Sequence, residues 1–95
     1  MNYNIGDLLQ LKGSTTITTY RSEQIPENEE DYENGEKEDL YLITDYITFY
    51  CYTYDENRTG WLLCSQKSST KSFWPDFKRQ GIGVDVFSNH FVKVE

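Results

Sequence analysis

Alanine does not occur in these 95 residues, and proline (2), cysteine (2) and histidine (1) are scarce. Without the residue of highest helix propensity, and with eight Tyr, five Phe, two Trp and many Thr in its place, the chain favours strands. A single histidine, His90, excludes multi-histidine metal sites. No apolar run approaches the roughly 20 residues that a membrane helix needs, and the residues after Met1 are neither basic nor apolar enough for a signal peptide. A cytoplasmic protein with no membrane association is therefore expected. A chain of 95 residues has room for one core, so residues 1–95 are read as one domain with little volume for an enclosed active site.

Positive charge is also short: nine Lys and Arg face sixteen Asp and Glu, for a net charge of −7. The imbalance is local. Between Glu23 and Asp39 stand nine acids against Lys37 alone, a charge of −8 that leaves about +1 on the rest of the chain. Such a block repels polyanions, which makes nucleic acid an unlikely partner and a protein with a basic surface a fitting one. Residues 21–39 show no period of 2 or 3.6 and hold Pro26, Asn28 and Asn34-Gly35, so an acidic loop is expected there. Its candidate partner-binding residues are Glu27, Glu29, Glu30, Asp31, Glu33, Glu36, Glu38 and Asp39.

Elsewhere the pattern is that of short strands. Ile5 to Lys12 and Thr15 to Tyr20 should pair across a Gly13-Ser14 turn. Leu40 to Tyr54 is too long for one straight strand of a small domain, and a bend or bulge is expected near Thr44-Asp45. Asp55 to Gly60 reads as a turn and Trp61 to Gln66 as the returning strand, which would place Tyr54 opposite Trp61 and Cys51 opposite Cys64. Period 2 then separates two faces. Ile47, Phe49, Cys51, Leu62 and Cys64 are the expected core face. Tyr46, Tyr50, Tyr52, Tyr54, Trp61 and Leu63 form an aromatic stripe, either a second buried side or a binding surface. Ser65 to Ser72 reads as a loop, Phe73 to Arg79 as a helical turn around Pro75, Gly81 to Gly83 as a join, and Val84 to Phe87 and Phe91 to Glu95 as closing strands.

Three of these segments together resemble a Src-homology-three-like barrel: Gly6-Asp7 before the alternating Leu8-Leu9-Gln10-Leu11, Gly60-Trp61 after the acidic turn from Asp55, and Val86-Phe-Ser-Asn-His-Phe-Val92. The resemblance implies an all-β, five- to six-stranded, strongly bent antiparallel barrel, with Trp61 as the matching ligand-contacting position. The proline usual before the serine-asparagine pair is Phe87 here, which departs from the pattern of proline-peptide binders.

The residues support little catalysis. Asp85, Ser88 and His90 are close in sequence, but a triad is defined by spatial geometry. With Gly35 at the sixth position of a calcium loop, Tyr32 and Tyr41 fall at the third and twelfth, where carboxylates are required. Cys51 and Cys64 are too few for a zinc knuckle and are expected as free, buried thiols. Asn57-Arg58-Thr59 matches a glycosylation acceptor only if the chain is secreted. No cofactor or metal is implied and a non-enzymatic role is expected. Two functions fit. One is an acidic inhibitor of a nucleic-acid-processing or defence enzyme, with carboxylates in the place of phosphates; in composition the chain is similar to small phage accessory proteins of that type. The other is a barrel module that binds a peptide or a single nucleic-acid strand through Tyr46, Tyr50, Tyr52, Tyr54 and Trp61.

Overall fold

The computed structural model describes residues 3–20, 30–51, 55–76 and 89–94. Within them the protein is all-β: β1 (Leu8–Leu11), β2 (Thr15–Tyr20), β3 (Glu30–Gly35), β4 (Leu40–Cys51), β5 (Glu56–Ser65), β6 (Lys71–Pro75) and β7 (Phe91–Val94). All pairings given by the ladders are antiparallel, in the order β3-β2-β6-β5-β4-β1-β7. The hairpin β2–β3 joins the other five strands through one pair, Tyr20↔Lys71. It folds across their face, because Ile17 of β2 shares one buried cluster with Leu9, Leu11, Tyr41, Ile43, Leu63 and Phe91. β3 and β7 end the order, so among the described residues the sheet is curled but not closed into a barrel.

Strand β4 is bulged where the sequence suggests. The β4–β5 register shifts between Ile43 and Asp45, and the Thr44 hydroxyl donates to the Leu62 carbonyl (3.4 Å). The extra residue inverts the alternation, so that Tyr46, not Asp45, follows Tyr41 and Ile43 on the core side. The parity of the two expected faces is thus correct, and each face is divided: Leu62 is buried as expected, while of the aromatic stripe Leu63 is core and Tyr46 and Tyr50 are exposed. Leu63 and Ile43 are fully buried, and Trp61 packs against that cluster. Ile47, Phe49 and Cys64 are only half-buried on the opposite side, where Phe49 meets Phe73 edge-on at 4.8 Å.

Several local expectations are corrected by the pairing. β1 pairs with β4 and β7, not with β2 across Gly13-Ser14. The Leu11 N–H donates to the Asp39 carbonyl and the Lys12 N–H to the His90 carbonyl, which commits the end of β1 to other neighbours. The expected acidic loop is a strand over Glu30–Gly35, because the β-branched Thr15–Tyr20 finds its ladder there. Gly35 is needed at that point: a Cβ on it would lie 2.6 Å from Leu11 Cδ1 and 2.8 Å from Ile17 Cδ1. Glu56–Gly60 is strand rather than turn, with Tyr46 opposite Trp61 and Cys51 opposite Glu56. Cys64 instead faces Leu42, about 26 Å of strand from the partner of Cys51, so the two residues are not opposite each other in the ladder. Lys71–Pro75 continues the meander as β6, since Ser65 closes a tight turn by accepting from the Lys67 and Ser68 N–H groups (3.3 and 3.2 Å). Pro75, without an N–H, comes at the end of that strand, as sheet geometry requires. The rest of the expected helical turn, Gly81 to Gly83 and Val84 to Phe87 lie outside the described residues.

Where β5 crosses β6, Gly60 is buried and its missing side chain matters. A Cβ there would overlap the Trp74 carbonyl oxygen and lie 2.8 Å from Pro75 Cα, both backbone atoms that cannot swing aside. Gly60→Val is expected to lower the unfolding free energy by at least about 3 kcal/mol. Gly13→Ala, which meets nothing within 4 Å, should stay within about 0.5 kcal/mol of the parent in the same urea titration.

Tyr41 is buried with its hydroxyl beneath Gly35. Burial, aided by the charges of Glu33 and Asp39 and opposed by a hydrogen bond with the Ser65 side chain, pushes its pKa up to about 12. An unfolded tyrosine ionises near 10. The stabilisation is therefore complete below pH 10 and is lost as pH rises through 12, because only the unfolded state gives up the proton between these values. Tyr41→Phe should show a flatter decline of stability from pH 10 to 12, by up to about 2–3 kcal/mol, in denaturant titrations across that range.

Candidate functional site

The bulge in β4 and the β4–β5 ladder bring two of the aromatic-stripe residues together. Tyr46 lies directly opposite Trp61, with ring centroids 5.3 Å apart and planes at 63°. Tyr3 reaches the same indole from the N-terminal segment, at 6.0 Å and 72°. That segment is held by local turn chemistry. The Asn4 N–H donates to the Asp7 carboxylate (2.8 Å), the Asp7 N–H donates back to the Asn4 carbonyl (3.0 Å), and Gly6 takes a φ of +96° that other residues rarely adopt. The Gly6 N–H then donates to the Ile43 carbonyl (2.8 Å), which docks the turn onto β4 just before the bulge. The Asn4 N–H, with help from Lys93 at 3.1 Å, holds the Asp7 carboxyl below its usual pKa against the opposing effect of burial.

Asp76 completes the site from the end of β6. Its N–H donates to the Thr59 carbonyl (2.9 Å), and its carboxylate accepts from the Tyr46 hydroxyl (2.8 Å). Tyr3, Asn4, Ile5, Tyr46, Trp61 and Asp76 line an open cleft of about 390 Å³. Of the expected aromatic face, Tyr46 and Trp61 are in it. Tyr50 is 40 % exposed further along the same face of β4, Leu63 belongs to the core, and Tyr52 and Tyr54 lie outside the described residues. Tyr3 and Asp76 are absent from the sequence-based set. Nothing in the spacing joins Tyr3 to β5, and the assignment of Asp76 to a helical turn hid its ladder position beside Thr59.

The expected acidic residues are divided by the fold. Glu27 and Glu29 lie outside the described residues. Glu30 and Asp31 pair through the backbone with Tyr20 and Thr19. Glu33 is opposite Ile17, half-buried, and accepts from the Ser68 hydroxyl (2.9 Å to the nearer oxygen). Asp39 works as a turn anchor: its carboxylate accepts from the Glu36 N–H (2.9 Å) and stands 3.8 Å from Lys67 Nζ. Glu36 and Glu38 remain exposed on that turn, Glu38 with a positive φ of 76°. One half-buried carboxylate is thus tied to a neighbouring loop, one closes a turn, and two project into solvent.

Among the described residues no group of three His, Cys, Asp or Glu is placed to hold a metal ion. Among the described residues no helix is long and apolar enough to cross a membrane. His90 is half-buried beside Trp74, at a ring separation of 5.6 Å; Asp85 and Ser88 lie outside the described residues. Comparison of the chain with known protein families, curated proteins and solved structures finds no match.

Proposed function

We propose that this is a non-enzymatic, cytoplasmic protein-binding module that docks a partner with a basic surface, and that the aromatic cleft is the centre of contact. The observation that carries the proposal is the cleft itself, where Tyr3, Tyr46 and Trp61 converge beside the Asp76 carboxylate. Rigid aromatic side chains with polar ends are the residues that most often anchor protein interfaces. The net charge of −7 speeds encounter with a basic partner and opposes a phosphate backbone, which favours a protein over a single nucleic-acid strand. A relation to the Src-homology-three-like barrels is part of the proposal. It is supported by Gly6-Asp7 immediately before β1 and by Gly60-Trp61 within β5; of the third similar segment only Asn89 to Val92 is described.

A second function, inhibition of a nucleic-acid-processing or defence enzyme by the acidic segment in the manner of a phage accessory protein, draws on a separate observation. Glu36 and Glu38 are presented on a turn whose backbone is fixed by Asp39 and by the Glu38 N–H to Leu11 carbonyl bond (3.0 Å). Carboxylates on a rigid frame are suited to a groove built for phosphates.

Site-specific photo-crosslinking separates the two. A photoreactive residue at position 46 in extract of the source cell should capture one basic protein, with yield falling as salt rises, while the same residue at position 38 captures little. Capture at 38 alone would transfer the function to the acidic turn. Capture at neither would overturn both.

A further inference from the structure

We infer that the cleft receives a single cationic side chain, a lysine or arginine of the partner protein, between the aromatic rings and the Asp76 carboxylate. This rests on the proposal that the partner is a basic protein, and it names the chemistry of the contact. The planes of Tyr3 and Tyr46 stand at 72° and 63° to that of Trp61, so the three rings meet edge to face rather than stacking, and all three line the cleft. The negative face of an aromatic ring attracts a cation. Asp76 brings a carboxylate to the same cleft, and its bond from the Tyr46 hydroxyl orders both groups. A site ordered in advance gives up less side-chain freedom on binding. Anions are repelled by the same charge, and a neutral aliphatic side chain would gain nothing from it. The volume of about 390 Å³ holds one long side chain but not a folded element. Each structural part also comes from a different segment: the N-terminal turn, β4, β5 and the residue after β6.

Capped tripeptides Gly-Lys-Gly and Gly-Arg-Gly test the inference against neutral counterparts that carry acetyl-lysine or citrulline. Titration is followed by NMR on the assigned Trp61 indole and Tyr46 ring resonances of the full chain. The cationic peptides should shift both sets with millimolar affinity, at least about tenfold more tightly than the neutral ones. Tyr46→Ser and Asp76→Asn should each weaken binding by about fivefold or more, with unchanged thermal midpoints confirming that the variants fold. Tyr46→Phe should retain most of the affinity, since it keeps the ring and loses only the tether. Equal shifts from charged and neutral peptides, shifts confined to Glu36 and Glu38, or no shift at all would overturn the inference. The two proposals fail separately. Crosslinking at position 46 without tripeptide binding would leave a docking module whose cleft takes another group. Tripeptide binding without any captured protein would leave a cation site and remove the protein-docking function.

Discussion

The extra residue at Thr44 sets the parity of β4, and through it the composition of both faces of the sheet. Ahead of the bulge, Tyr41 and Ile43 point to the core; after it, Tyr46 takes the place that strict alternation would give Asp45. Without the shift, a carboxylate would stand beside the Trp61 indole and Tyr46 would turn to the opposite side with Ile47's neighbours. The position is partly exposed, so the bulge is favoured less by the burial of charge than by the ring contact that Tyr46 makes with Trp61 there. The Thr44 hydroxyl, donating to the Leu62 carbonyl, supports the distortion from within the same ladder. The cleft is the consequence: it forms where the core face runs out along β4 and the aromatic residues lose their cover.

The second constraint is the fold-over of the β2–β3 hairpin. One described backbone pair, Tyr20↔Lys71, connects it to β6, so its position depends on side chains rather than on an extended ladder. Ile17 supplies the apolar contact, and Gly35 lets Leu11, Ile17 and the Tyr41 hydroxyl approach the backbone of β3. Glu33 then secures the outer margin through Ser68, on the turn between β5 and β6. This arrangement explains why acids tolerated in a strand are found there. Glu33, on the inner side, has a neighbouring hydroxyl, while Asn34 on the outer side is exposed. The charged residues also suit an end strand, where like charge discourages pairing with another chain.

How much of this could be read from the sequence depended on whether the signal was local. The all-β composition, the bulge near Thr44 and the separation of Tyr46 and Trp61 from Ile47 and Phe49 follow from residue type and period 2, which act over a few neighbours. The hairpin register did not follow, because Asp55 to Gly60 has turn-forming residues yet Gly60 is required in β5 by the approach of Trp74 and Pro75, a partner strand far along the chain. Period 2 divides side chains into two sets but does not say which set another layer covers, and the covering strand, β2, was paired with β1 on the strength of Gly13-Ser14. The acidic block misled in another way. Charge density suggests a solvated loop, whereas the Thr-rich β2 offers ladder bonds that draw Glu30–Gly35 into a strand.

These two constraints leave the charge and the aromatic surface in complementary positions. The carboxylates most deeply engaged, Glu33 and Asp39, maintain the hairpin and its turn, and their nearness to Tyr41 is tolerated because that phenol stays protonated in the folded state. Asp76 differs in its surroundings: it stands at the end of β6, against an aromatic ring and beside an opening, and its hydrogen bond orders a cleft wall instead of a turn. In the inferred cation site, that carboxylate and the aromatic residues beside it act together to separate cations from neutral groups of the same shape. In the proposed function the exposed acids Glu36 and Glu38 act over longer range and mainly on encounter rate, which salt screens. Steering thus falls, in the proposed function, to the exposed acids and contact to the cleft, two different groups of residues.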